Sequence, residues 1–216
     1  MLEQARFQHL RWLQASVIAA VSFYMVKNVH LPILPLVAWK GTGVALLAVW
    51  AFLHPRGPVV LRIGLVMALC AAGDVLLEWN QTAGAGAFLL AHLEAISLYL
   101  RNRRTATTNS QRLAALALLV LTPLLAWQLT GSLAVAVYAS ALGAMAACAW
   151  MSRFSRYRVG LGAALFVASD LLIFARMGVL ADSSLPGLLI WPLYFLGVLL
   201  ICTGVIDSLR THPKPQ

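Results

Sequence analysis

Two aspartates interrupt otherwise apolar stretches in near-identical settings. Asp74 follows Ala68-Leu69-Cys70-Ala71-Ala72-Gly73 and precedes Val75-Leu76-Leu77, and Asp170 follows Ala164-Leu165-Phe166-Val167-Ala168-Ser169 and precedes Leu171-Leu172-Ile173. A carboxylate in hydrocarbon is costly, so such a residue normally faces a protein interior and has a task. Two of them suggest a proton-handling pair. Two carboxyls in one low-dielectric cavity cannot both ionise cheaply, so one is expected to remain a neutral acid beside an ionised partner. That combination is the equipment of general acid–base chemistry.

Three more polar groups lie at comparable depth in other apolar runs: Lys40, His92 and Tyr194. Together with the aspartates they are expected to share a polar cavity open to the outer half of a membrane. Glu78 follows Asp74 by one helical turn and suits the mouth of that cavity. Lys40 would hold the remaining negative charge or a substrate phosphate, or form a structural salt bridge to an aspartate. Glu94, two residues from His92, points elsewhere and is expected to make an interhelical hydrogen bond or a salt link to an arginine. No metal or cofactor is expected. Cys70, Cys148 and Cys202 fall in apolar runs without CxxC spacing, and His9, His30, His54 and His212 fall in the tails or near run ends.

These groups must be positioned by membrane helices. The chain has 216 residues, of which 61% are hydrophobic and only 11% charged. Its mean hydropathy is +0.83. A soluble domain needs a charged exterior and could not hide so much apolar surface. The net charge of +9 does not point to nucleic acid, because the basic residues sit in short gaps between apolar runs, where they orient a membrane protein. Eight runs approach the roughly 20 residues that a spanning helix needs, at about 10–28, 33–53, 59–78, 83–100, 113–130, 132–151, 159–180 and 186–207. Barrel strands would be shorter and would alternate. The expected fold is therefore all-α, a single transmembrane domain over 1–216 with eight spans. The first run is read as a retained helix and not a signal peptide.

With the N-terminus in the cytoplasm, thirteen basic residues from Arg6 to Lys214 fall on the inner side and two, Lys27 and Arg176, on the outer. The positive-inside rule then places both termini in the cytoplasm. The aspartate segments are 96 residues apart, in the third and seventh runs, which raises the expectation of a parallel four-plus-four repeat.

Gly73-Asp74-Val75-Leu76-Leu77, His92 in the fourth run, Gly162-Ala163-Ala164-Leu165-Phe166 leading to Ser169-Asp170, and Tyr194 in the last run together resemble the YhhN-like lysoplasmalogenases. The resemblance covers nearly the whole chain in order and spacing. The family often shows Lys-Pro in its second helix, whereas Lys40 here precedes Gly41. Membership implies an eight-helix membrane enzyme that hydrolyses the vinyl ether of lysoplasmalogens to a fatty aldehyde and glycerophosphoethanolamine or glycerophosphocholine. It implies Asp170 and Asp74 as acid and base in either order. His92 would position water, and Lys40, Glu78, Ser169 and Tyr194 would contact the lysophospholipid substrate. Membrane lipids are the other expected partners, with no nucleic acid, and the bacterial inner membrane is the expected location.

Two other classes fit parts of the pattern. An intramembrane aspartyl protease pairs Gly-x-Gly-Asp with Tyr-Asp, but here the residues are Ala71-Ala72-Gly73-Asp74 and Ser169-Asp170. A proton-coupled transporter could use the same buried groups as relays. It would favour paired broken helices, yet Pro123 is the one proline in the middle of a run, with Pro192 near a run start.

Overall fold

The computed structural model describes residues 2–29, 32–55 and 57–211, with side chains for 10–29, 32–55 and 57–209. Of the basic residues weighed above, His30, Arg56, His212 and Lys214 lie outside the described residues, as do the side chains of Arg6, His9 and Arg210. Eight α-helices occupy the eight apolar runs: α1 Leu2–Val26, α2 Ile33–Phe52, α3 Pro58–Leu76, α4 Gln81–Arg101, α5 Asn109–Thr130, α6 Leu133–Trp150, α7 Leu161–Arg176 and α8 Leu185–Thr211. Seven segments are long and apolar enough to cross a membrane, six of them these helices from α2 on and one Arg156–Arg176, which includes α7. In α1 the apolar part is the shorter Leu10–Val26. Large apolar side chains such as Ile18, Met25, Leu113, Leu133 and Val137 are exposed along the helices. In water that surface would aggregate; in a bilayer it meets lipid tails. The protein is a polytopic, all-α membrane protein.

Helix ends follow local chemistry. Pro58 opens α3 after the extended Gly57, where a missing N–H costs nothing. Gly131 takes a left-handed conformation (φ 62°) and donates its N–H to the Trp127 carbonyl at 2.7 Å, ending α5. The Ser132 hydroxyl then accepts from Val135 N–H and starts α6. A π turn, Arg156–Gly160, leads directly into α7. The seventh apolar run begins at about 159, so helical structure starts three residues before it. Pro123 and Pro192 lie inside α5 and α8 without ending either helix.

The chain divides into two compact units, Met1–Glu94 and Ala95–Gln216. In the first, α1 packs on α2 and α2 on α3. Small residues permit this: the Ser16 hydroxyl donates to the Gly43 carbonyl at 2.6 Å, and a Cβ on Gly43 would lie 3.1 Å from that of Ala20. In the second, α5 pairs with α6 and α7 with α8. A Cβ on Gly162 would lie 2.6 Å from the Gly197 carbonyl oxygen, and one on Gly197 would lie 2.8 Å from the Gly162 carbonyl oxygen. The two backbones touch at this pair of glycines, which fixes α7 against α8.

Candidate active site

In the first unit, Asp74 is buried two residues before the end of α3. Gly73 beside it admits α4 closely, because a Cβ there would lie 2.6 Å from the Phe88 ring. His92 follows Phe88 by one turn and is equally buried, with both Asp74 and His92 only 2% exposed. Lys40 comes from α2, and its Nζ donates to Glu78 Oε1 at 2.6 Å. Glu78 sits in the turn after α3, not on its last helical turn, and is exposed. The ion pair is set by the contact of α2 with α3, where a Cβ on Gly41 would lie 2.5 Å from Val75 Cγ2. The Lys40-Gly41 departure from Lys-Pro thus leaves α2 continuous and close to α3. An exposed ion pair adds only ~0–1 kcal/mol, so its effect lies in presenting two opposite charges side by side. Glu94 is bound to Arg62 at 2.8 Å, the arginine link considered from the sequence.

In the second unit, Asp170 is buried on α7 and its Oδ2 accepts a hydrogen bond from the Tyr138 hydroxyl at 2.9 Å. Tyr138 belongs to α6 and meets the Phe174 ring edge to face, with centroids 6.2 Å apart. Phe174 packs with Ala126 and Ala139, bordered by Leu129, Leu171 and Ile173. The hydroxyl is therefore aimed by packing on its ring and not left to rotate freely. Sequence reasoning missed Tyr138. Its signal was a tyrosine inside an apolar run, whose O–H must find a partner when buried.

Ser169 is buried, and its hydroxyl donates to the Ile190 carbonyl of α8 at 3.0 Å. It ties α8 to the helix that carries Asp170. Tyr194 is buried in an aromatic group, its ring edge-on to Phe166 at 5.2 Å and tilted against Trp191 at 5.7 Å. Phe166 and Phe174 are one turn before and one turn after Asp170, so aromatic rings flank the carboxyl on its own helix. Among the described residues, no three His, Cys, Asp or Glu side chains come together as metal ligands do.

A carboxyl held by a fixed hydroxyl among apolar walls can pass a proton without competing water. A buried carboxyl with a buried histidine in the same unit can bind or orient water. No solved structure matches the chain. Two relatives named lysoplasmalogenase, from Mycobacterium bovis and Mycobacterium tuberculosis, are each 34% identical over 182 residues, covering 77% of this chain and 69% of the relative. The model of the YhhN family matches residues 36–205, from α2 into α8 and through both aspartates, and the chain belongs to that family.

Proposed function

We propose that this chain is a membrane hydrolase that cleaves the vinyl ether bond of lysoplasmalogens, giving a fatty aldehyde and glycerophosphoethanolamine or glycerophosphocholine. The observation that carries the reading is the buried Asp170 carboxyl, oriented by the Tyr138 hydroxyl, in a chain whose relatives bear that name. A vinyl ether resists base and yields to acid. Asp170 gives its proton to the alkene carbon remote from the ether oxygen, and the electron pair of the double bond forms the new C–H bond. The adjacent carbon becomes an oxocarbenium ion. Water adds to that carbon and loses a proton to carboxylate. The resulting hemiacetal collapses as the glycerol oxygen leaves with a proton, so one water is consumed and one aldehyde released. The division of tasks parallels glycoside hydrolysis, where one carboxyl is the acid and another supports the cation.

Asp74 is assigned the second task, stabilising the cation and activating water, and His92 the orientation of that water. Lys40 and Glu78 suit a zwitterionic headgroup: the ammonium of Lys40 for phosphate, the carboxylate of Glu78 for ethanolamine or choline. Tyr194 contributes a polar edge to an aromatic wall, and Ser169 acts through its hold on α8. The thirteen-to-two division of basic residues supports an orientation with both termini in the cytoplasm, and the assigned location is a bacterial inner membrane.

The test is to offer purified protein a lysoplasmalogen and measure aldehyde, with an ester-linked lysolipid of the same headgroup as control. Aldehyde from the vinyl ether and no product from the ester support the reading. Sealed vesicles that take up the lipid unchanged, or cleavage of a transmembrane peptide in place of the lipid, would overturn it.

A further inference from the structure

The arginine-rich end of the second unit is a built surface. The connector after α4 and the connector after α6 are paired through their backbones: Arg104 N–H donates to the Met151 carbonyl at 3.1 Å, and Arg153 N–H to the Asn102 carbonyl at 2.8 Å. Arg103 and Ser152 form an antiparallel bridge between them. The Arg104 guanidinium turns inward and donates to the Ser152 and Phe154 carbonyls at 3.2 and 3.1 Å. Arg153 Nε donates to Asn102 Oδ1 at 2.9 Å. At the start of α5, the Gln111 amide atom facing Arg156 must be its oxygen, since a guanidinium has only donors, and Arg156 then donates to it at 2.7 Å.

Orienting a membrane protein needs positive charge but not this fixed pairing of two connectors. Of the seven arginines from Arg101 to Arg158, only Arg158 has a carboxylate within ion-pair reach among the described residues, Asp207 at 2.6 Å. Arg101, Arg103 and Arg153 stand exposed. At the same end, Leu100, Leu113 and Leu161 are exposed as lipid-facing residues are, and Tyr157 is 81% exposed, an aromatic at headgroup level.

We propose that this paired-loop surface binds the phosphate of an anionic phospholipid, of the phosphatidylglycerol class, from the leaflet it meets. A rigid guanidinium fork matches a phosphate's oxygens better than a mobile lysine does, and the exposed leucines lie where the acyl chains begin. This site is independent of the proposed hydrolysis.

The experiment uses the full-length protein in nanodiscs of phosphatidylcholine mixed with phosphatidylglycerol, with retained lipids counted by native mass spectrometry. The wild type should retain phosphatidylglycerol over phosphatidylcholine. Arg101→Gln/Arg103→Gln, which changes two exposed side chains and leaves the backbone bridge at Arg103 in place, should lower that preference on the order of fivefold per arginine, and adding Arg153→Gln should lower it again. Lys27→Gln/Arg176→Gln should leave it intact. Equal retention of the two lipids by the wild type, an equal loss in the Lys27/Arg176 control, or displacement of the lipid by inorganic phosphate at the same concentration would overturn the proposal.

Discussion

Asp74 and Asp170 occupy nearly the same local sequence, yet the two units house them differently. Asp170 sits in the middle of a span, flanked by Phe166 and Phe174, with a tyrosine hydroxyl delivered from a neighbouring helix. Asp74 lies next to the end of α3, beside a glycine covered by the Phe88 ring, and one turn before the Lys40–Glu78 ion pair. Apolar stretches around a carboxylate thus specify burial but not surroundings. Neighbouring helices supply the partners, and the partners set one carboxyl beside a tyrosine hydroxyl and aromatic rings and the other near an ion pair.

Asp74→Asn tests this difference between the two carboxyls most severely. If the residue supports the cation and activates water, aldehyde release should fall by about 10²–10⁴-fold while the protein stays monodisperse. Near-normal turnover would show that the first unit's carboxyl is structural. Next come the glycines that fix each site. Gly162→Ala sets a methyl against a carbonyl oxygen, which cannot move aside, and should cost about 1–3 kcal/mol, seen as a lowered unfolding temperature. In Gly73→Ala the nearest atoms to the new methyl are those of the Phe88 ring, a side chain that can turn, so it should cost less stability but disturb the setting of Asp74. Equal losses in both would erase the contrast between backbone and side-chain contact.

Much of the frame was legible beforehand. Length, Leu and Ala content and the turns at Pro58 and Gly131 give the helices, since each of these acts within a few residues. The aspartates were legible because charge in a long apolar run is rare. The partners were not. Lys40 and Glu78 are 38 residues apart, Tyr138 and Asp170 are 32 apart, and pairing at that range depends on how helices rotate against one another. The π turn before α7 was equally hidden. Within it Gly160 is packed so closely on Trp150 that a Cβ would lie 2.8 Å from the indole, a tertiary contact that no local propensity encodes.

A smaller effect sharpens the assignment of Tyr138. Tyr138→Phe keeps the ring on Phe174 and removes only the hydrogen bond, worth about 0.5–1.5 kcal/mol, so kcat should fall by roughly 2- to 13-fold with KM little changed. A change in KM alone would make Tyr138 a binding residue. The smallest expected effect belongs to the other unit. Lys40→Met should raise KM for the lysophospholipid a few-fold and leave kcat nearly intact, because an exposed ion pair contributes at most ~1 kcal/mol. A collapse of kcat in that variant would move Lys40 from the headgroup to the chemistry.

The most direct measurement is aldehyde release from a lysoplasmalogen by Asp170→Asn beside the wild type, both in the same lipid and equally folded. Asparagine keeps the shape and can still accept from Tyr138, but it has no acidic proton to give to carbon. The proposed chemistry predicts that aldehyde formation falls by at least about 10²-fold, with lipid binding retained. Wild-type turnover by Asp170→Asn would contradict it.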